Sequence, residues 1–244
     1  MFVPRIYYPH PLAEHAVLAL DKEINHYLCT VLRLEDGDKV IFFNGEGGEY
    51  SATYIADKKK GQAKIGHFNA ISRESPLALH LGQALLRGDK MDYVIQKATE
   101  LGASSITPII TVHCGVKLPA DRTDKRLQHW QSIAQSACEQ SGRTMLPTIH
   151  SPISLNEWAQ QAFSGISLFG HTLKANALNT LPKNEAYRLA IGPESGFDDK
   201  EVITLQNNDF LPFTLGPRIL RTETAGLVAI SVLQNLFGDL GLTT

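Results

Sequence analysis

The chain has 244 residues and a formal net charge of −2. That length suits one or two domains, each able to bury a core. The apolar and charged fractions are ordinary for a globular protein, and no apolar run approaches the roughly 20 residues that span a bilayer, which excludes a membrane protein of the helical kind. Met1-Phe2-Val3-Pro4-Arg5 does not read as a signal peptide, because a proline and a charge interrupt it, so a cytoplasmic location is expected. Three cysteines without a C-x-x-C pair suggest neither a disulfide framework nor a zinc knuckle. His113 beside Cys114 lacks a second ligand pair, and no metal is expected there. Only residues 73–143 carry a net positive charge, so any nucleic-acid contact should use local patches there and the run Lys58-Lys59-Lys60. Taken alone, that run reads as a solvated hairpin tip.

Up to about residue 72 the texture is that of short strands. Lys39 to Phe43 runs into the turn signal Asn44-Gly45. Tyr50, Ala52 and Tyr54 alternate with polar residues, and Ala63 and Ile65 follow Gly61. A helical piece from Lys22 to Leu32 interrupts the strands. Residues 1–72 therefore read as a small β-barrel-type domain, with Ser72 to Pro76 as linker.

Strands and helices alternate over residues 73–244. Leu77, Leu79 and Leu81 open a strand. Asp89 is placed to cap a helix that buries Met91, Val94, Ile95 and Ala98 and stops at Gly102. A strand over Ile106–Ile110 precedes a helix over Thr123–Ser141. Ser154-x-x-Glu157 and Asp198-x-x-Glu201 are capping boxes. Further strands are expected at Ile166–Phe169, Tyr187–Ile191 and Phe213–Leu215. The last helix, Thr224–Phe237, is apolar on most sides and should be deeply buried. Trp130 and Trp158 lie on apolar helix faces and are expected in the core. This alternation predicts an α/β domain with a mostly parallel sheet covered on both faces.

Three loops leave the C-terminal ends of late strands, the edge where open α/β sheets bind ligands. They are Leu168-Phe169-Gly170-His171, Ile191-Gly192-Pro193-Glu194-Ser195-Gly196, and Leu215-Gly216-Pro217-Arg218-Ile219-Leu220-Arg221-Thr222-Glu223-Thr224-Ala225. Glycine at each strand end lets backbone groups approach a ligand closely. No G-x-x-x-x-G-K-[ST] and no strand-borne G-x-G-x-x-G occurs, which disfavours a P-loop or Rossmann enzyme. Gly45-Glu46-Gly47-Gly48 sits between strands and reads as a hairpin turn.

The second and third loops resemble the signature of the small-subunit ribosomal RNA methyltransferase E family, uridine-N3 methyltransferases of 16S rRNA in the knotted SPOUT superfamily. The likeness extends to Pro4-Arg5-Ile6-Tyr7, Arg87 to Met91 with Gln96-Lys97 and Glu100 to Gly102, Cys114 to Lys117, Cys138 to Gln140 with Gly142-Arg143, and Phe237 to Leu240. The resemblance implies a PUA-like first domain that helps hold RNA, and a SPOUT domain over residues 73–244 with a C-terminal trefoil knot. It implies S-adenosylmethionine held by Leu168, Gly170, His171, Ile191, Gly192, Pro193, Glu194, Gly196, Leu215, Gly216, Ile219, Leu220, Arg221, Thr222, Thr224 and Ala225. It further implies a homodimer that acts on 16S rRNA, within the small ribosomal subunit or on its way there. The family usually has two glycines where this chain has Ser195-Gly196. A left-handed backbone at the first of them would cost Ser195 about 1 kcal/mol.

Uridine N3 carries a proton between two carbonyls and is a poor nucleophile until that proton leaves. Arg221 is the candidate for the positive charge that stabilises the resulting anion. Glu223 is the candidate to position Arg221 or relay the proton. The alternative for both is an internal ion pair bracing the last loop. Arg5, Arg87, Lys90, Lys117 and Arg143 are candidate RNA contacts. Two other readings stay open: a SPOUT ribose 2′-O-methyltransferase, and an RNA-binding assembly factor without catalysis.

Overall fold

The computed structural model describes residues 3–57, 60–115, 120–171 and 175–241. Lys58, Lys59 and Lys117, named above as candidate RNA contacts, lie outside the described residues. The chain divides into two compact units, one of residues up to Glu74 with Cys138–Leu146, the other of Ser75–Ala137 with the remainder from Pro147.

The first unit is a five-stranded sheet. Its elements are β1 (Arg5–Tyr7), β2 (Val17–Ala19), α1 (Lys22–His26) continued by a π-helical turn at Tyr27–Val31, β3 (Lys39–Phe43), β4 (Glu49–Ile55) and β5 (Gln62–Asn69). The strand order is β1-β3-β4-β5-β2, with β1 parallel to β3 and the other pairs antiparallel. Asp21 caps α1 by accepting from the Ile24 amide at 2.7 Å. Ile6, Leu28, Val40, Phe42, Ala52, Tyr54, Ala63 and Ile65 form the core. The expected alternation through Tyr50 is broken by a register shift between Tyr50 and Ala52, which leaves Tyr50 half-buried while Ala52 and Tyr54 point inward. Gly45, Gly47 and Gly48 all have positive φ in the turn from β3 to β4, as a tight hairpin connection requires.

The second unit holds β6 (Ala78–Ala84), α2 (Asp89–Glu100), β7 (Ser105–Ile110), most of α3 (Ala120–Ser141), β8 (Thr148–Ile149), β9 (Ile153–Ser154), α4 (Leu155–Ala159), β10 (Ile166–Gly170), β11 (Asn176–Ala177), β12 (Ala186–Ile191), α5 (Asp199–Asn207), β13 (Leu211–Thr214) and α6 (Thr222–Phe237). Its sheet runs β11-β13-β10-β12-β6-β7-β8, with β9 also on β7, and the pairings are parallel. Successive strand residues face opposite sides. Leu81, Leu168 and Leu189 join Met91, Ile95, Ala229, Ile230 and Leu233 of α2 and α6 in one apolar layer. Ile109, Phe169 and Ala190 join Trp158, Leu205 and Phe210 of α4, α5 and the chain after it in the other. Both sheet faces are thus covered. Trp130 and Trp158 are buried, as expected.

Arg188 of β12 is a buried cation in the second layer, its guanidinium 4.5 Å from the Phe210 ring centroid and 5.1 Å from that of Trp158. Its donors go to Ser167 Oγ and to the carbonyls of Trp158 and Gln161. Desolvation pushes its pKa down to about 10.

Both capping boxes form. The Glu201 carboxylate also accepts from the Val112 amide at 2.8 Å, which accounts for its burial. Asp89 is a correction: the residue preceding α2 is Gly88, at φ 57°, and no side chain caps the helix. Asp89 is instead the first helical residue, where its charge still favours the helix N-terminus. The last helix begins two residues earlier than expected, at Thr222, and the last strand is Leu211–Thr214.

Candidate active site

The three ligand-loop strands are neighbours. β13, β10 and β12 lie side by side and parallel, with Gly170 opposite Phe213 and Phe169 opposite Ala190. Their C-terminal ends, Thr214, Gly170 and Ile191, therefore open onto one sheet edge. Parallel pairing explains why segments far apart in sequence meet there.

Cross-links hold the loops. Thr222 Oγ1 donates to the Gly192 carbonyl at 2.6 Å and accepts from Gln83 Nε2 at 2.9 Å. The His171 amide donates to the Phe213 carbonyl at 2.9 Å, and the Phe169 ring packs edge-on against the His171 ring. The Gly196 amide closes a turn onto the Pro193 carbonyl at 2.9 Å. Gly196 and Gly216 have φ of 78° and 92°, and a Cβ built on either would meet nothing within 4 Å. Ile219 is 88% exposed at the rim.

Charge gathers at the same edge. Lys90, in the first turn of α2, places Nζ 3.2 Å from Glu223 Oε1 and 3.5 Å from Glu194 Oε1. Burial of the Glu223 carboxyl pushes its pKa up, but hydrogen bonding to its own backbone amide, Lys90 and the charge of Arg221 outweigh this and hold it below the usual carboxylate range. Glu223 is paired with Lys90 at close range, and Arg221, the exposed residue preceding α6, acts on it through its field. Glu223 Oε2 and Gln83 Oε1 are buried acceptors without a hydrogen-bond partner among the described residues. Open space above the two left-handed glycines at this sheet edge leaves room for a ligand to approach the loop backbone closely.

The RNA-contact candidates separate. Arg87 is exposed, although its Nε donates to the Gly115 carbonyl at 2.9 Å. Lys90 is half-exposed between its two carboxylates. Arg5 and Arg143 require correction, because both turn inward within the first unit. Arg5 pairs with Glu49 at 3.1 Å, donates to the Cys138 and Arg143 carbonyls at 2.8 and 3.0 Å, and lies 4.6 Å from the Phe43 ring centroid. Arg143 pairs with Glu74 at 2.7 Å, and its side chain is 7% exposed. Two guanidinium groups occupied in this way brace residues 138–146 against β1 and the segment before Ser75.

Gln83 escaped notice in the sequence. The available signal was a single amide side chain inside the apolar run of β6, where a buried polar group implies a partner.

A model of the RNA methyltransferase domain family matches residues 73–234, and one of the RNA methyltransferase PUA domain matches residues 20–66. The ribosomal RNA small subunit methyltransferase E of Buchnera aphidicola from Schizaphis graminum is 36% identical over 98% of both chains. The chain belongs to the ribosomal RNA small subunit methyltransferase E family. The Bacillus subtilis member of that family is 31% identical over 91% of both chains. A solved methyltransferase E of Neisseria gonorrhoeae, bound to S-adenosylmethionine, superimposes with a TM-score of 0.92 at 35% identity, covering 98% of this chain and 99% of its own. A methyltransferase of Legionella pneumophila, solved with its bound cofactor S-adenosylmethionine, gives 0.95 at 37% identity over 98% and 100%.

Ser195 proves harmless to the backbone. It is not among the residues of positive φ, and the left-handed position of the turn falls on Gly196. The expected strain of about 1 kcal/mol at Ser195 therefore does not arise. Among the described residues, no helix is long and apolar enough to cross a membrane.

Proposed function

We propose that the chain transfers the methyl group of S-adenosylmethionine to N3 of a uridine in 16S rRNA. The observation that carries this reading is the shared edge of β13, β10 and β12, where glycine loops, Lys90, Glu223 and Arg221 come together. Leu168, Gly170, His171, Ile191 to Glu194, Gly196, Leu215, Gly216, Ile219, Leu220, Thr222, Thr224 and Ala225 would hold the cofactor, mostly through backbone groups. The unpartnered Oε2 of Glu223 would accept from one of its hydroxyl or amino donors. When bound, S-adenosylmethionine supplies a methyl group already activated on a sulfonium.

The chain's residues have the remaining work of preparing the acceptor. The exposed guanidinium of Arg221 would face O2 or O4 of the uracil ring and stabilise negative charge as N3 loses its proton. Glu223, its pKa held down by its own backbone amide, Lys90 and Arg221, would orient Arg221 or accept that proton through water. Holding methyl and N3 in line is the larger effect, worth up to about 7–11 kcal/mol. N3 lies on the pairing edge of the base, so the target uridine must be unpaired or flipped out, at a cost of a few kcal/mol. Arg87, Lys90 and Lys117 are the proposed RNA contacts, with residues 1–72 as a PUA-like RNA-holding domain and 73–244 as the catalytic domain. The homodimer, the C-terminal trefoil knot, action within the small ribosomal subunit and a cytoplasmic location belong to the same reading, on the strength of the family.

Nucleoside analysis of 16S rRNA from cells with and without the gene tests this. N3-methyluridine should vanish with the gene and return with an intact copy, but not with an Arg221→Ala copy. A lost ribose methyl, or unchanged nucleosides, would overturn the assignment.

A further inference from the structure

Away from the methylation edge, the first unit brings three metal-ligating side chains together. Glu14 and His15 precede β2, and His67 lies in β5. The chain leading into β2 is held beside β5 by hydrogen bonds from the His15 amide to the Ile65 carbonyl at 3.1 Å and from the Ile65 amide to the Ala16 carbonyl at 2.8 Å. The Phe68 amide donates to Glu14 Oε1 at 2.7 Å, which fixes the carboxylate next to His67. Glu14 and His15 are the central residues of a turn closed by the Ala16 amide, which donates to the Ala13 carbonyl at 3.3 Å, and His15 has φ of 65°, an uncommon conformation for a residue other than glycine. Glu14 and His15 thereby reach the same place. The His15 and His67 rings meet edge-on at 5.4 Å, and His67 Nδ1 is 3.7 Å from Glu14 Oε1.

We infer that Glu14, His15 and His67 form a binding site for one divalent ion of the zinc class. One donor atom from each residue lies within 4.8 Å of the others. Bonds of about 2.0–2.2 Å in tetrahedral geometry need donors roughly 3.3–3.6 Å apart, within reach of small side-chain rotations. Two imidazoles and a carboxylate select zinc, nickel, cobalt or copper over magnesium and calcium, which prefer oxygen ligands throughout. All three residues are exposed, so the remaining positions are open to water and the ion can exchange with solvent. The site joins the lead-in of β2 to β5, so an ion there ties an edge strand to the sheet.

The test uses the full chain, free of any affinity tag and stripped with a chelator. Zinc is titrated in competition with a chromogenic chelator, and thermal melting is followed with and without zinc. The parent should take up one zinc per chain and melt at a higher temperature with it. His67→Ala and Glu14→Gln should weaken binding by more than about tenfold, the scale reached when even supporting partners of a ligand are removed. His15→Gly guards against misfolding, since glycine accepts this backbone conformation, and it should lose the zinc response while remaining folded. Excess magnesium should not compete. Failure of the parent to bind zinc, or equal uptake by parent and variants, would overturn the site.

Discussion

The hydroxyl of Thr222 donates to the carbonyl oxygen of Gly192 at 2.6 Å, joining the start of α6 to the loop that leaves β12. Gln83 Nε2, buried in β6, completes the link at 2.9 Å. Thr222→Val preserves the shape and removes both bonds. A hydrogen bond of this kind is worth about 0.5–1.5 kcal/mol. The loops should then lose register, and S-adenosylmethionine affinity should fall about two- to tenfold. Calorimetric titration of the variant measures this directly.

Lys90 helps hold Glu223 in its ionised form. A carboxyl whose folded-state pKa lies below its unfolded value contributes stability that is present above the unfolded value and lost as pH falls through the folded one. Lys90→Met removes one of the influences holding Glu223 down. The acid-side loss of stability and of cofactor binding should therefore begin at a higher pH. Melting temperatures and cofactor affinity measured between about pH 3 and 6 check the sign.

Arg143 and Arg87 should respond in opposite ways. Arg143→Ala leaves Glu74 without its buried cation, although the Thr144 and Met145 amides still donate to it. Breaking such a pair costs about 3 kcal/mol of stability, visible as a lower denaturant midpoint. Its effect on the salt dependence of RNA binding should be negligible. Arg87→Ala should leave stability nearly unchanged and reduce the logarithmic salt slope of RNA binding by about one.

Much of this architecture was legible where the chemistry is local. Ser154 with Glu157, and Asp198 with Glu201, announce their helices by reciprocal bonds three residues apart. The glycine-bearing strand ends were also readable, and parallel pairing brings their strands together. The edge strands of two or three residues, β1, β2, β8, β9 and β11, carry too little pattern to be read. Arg5 and Arg143 looked like surface charges because their partners Glu49 and Glu74 stand 44 and 69 residues away. Nothing in local spacing reveals such a pair. Gln83 likewise meets Thr222 only across a sequence separation of 139.

Gly216 offers a backbone test free of steric confusion, because its φ is 92° and a Cβ there meets no neighbour within 4 Å. Gly216→Ala should cost about 1–2 kcal/mol of stability through conformation alone. If the open space holds the cofactor, affinity for S-adenosylmethionine should fall further than that strain explains. Paired denaturation and calorimetry separate the two effects.

Hydrogen exchange with and without S-adenosylmethionine reads the proposed pocket most directly. Peptides covering residues 168–171, 191–196 and 215–225 should slow together on adding the cofactor, while strands β1 to β5 exchange as before. Protection absent from these three segments, or confined to the first unit, would contradict the account.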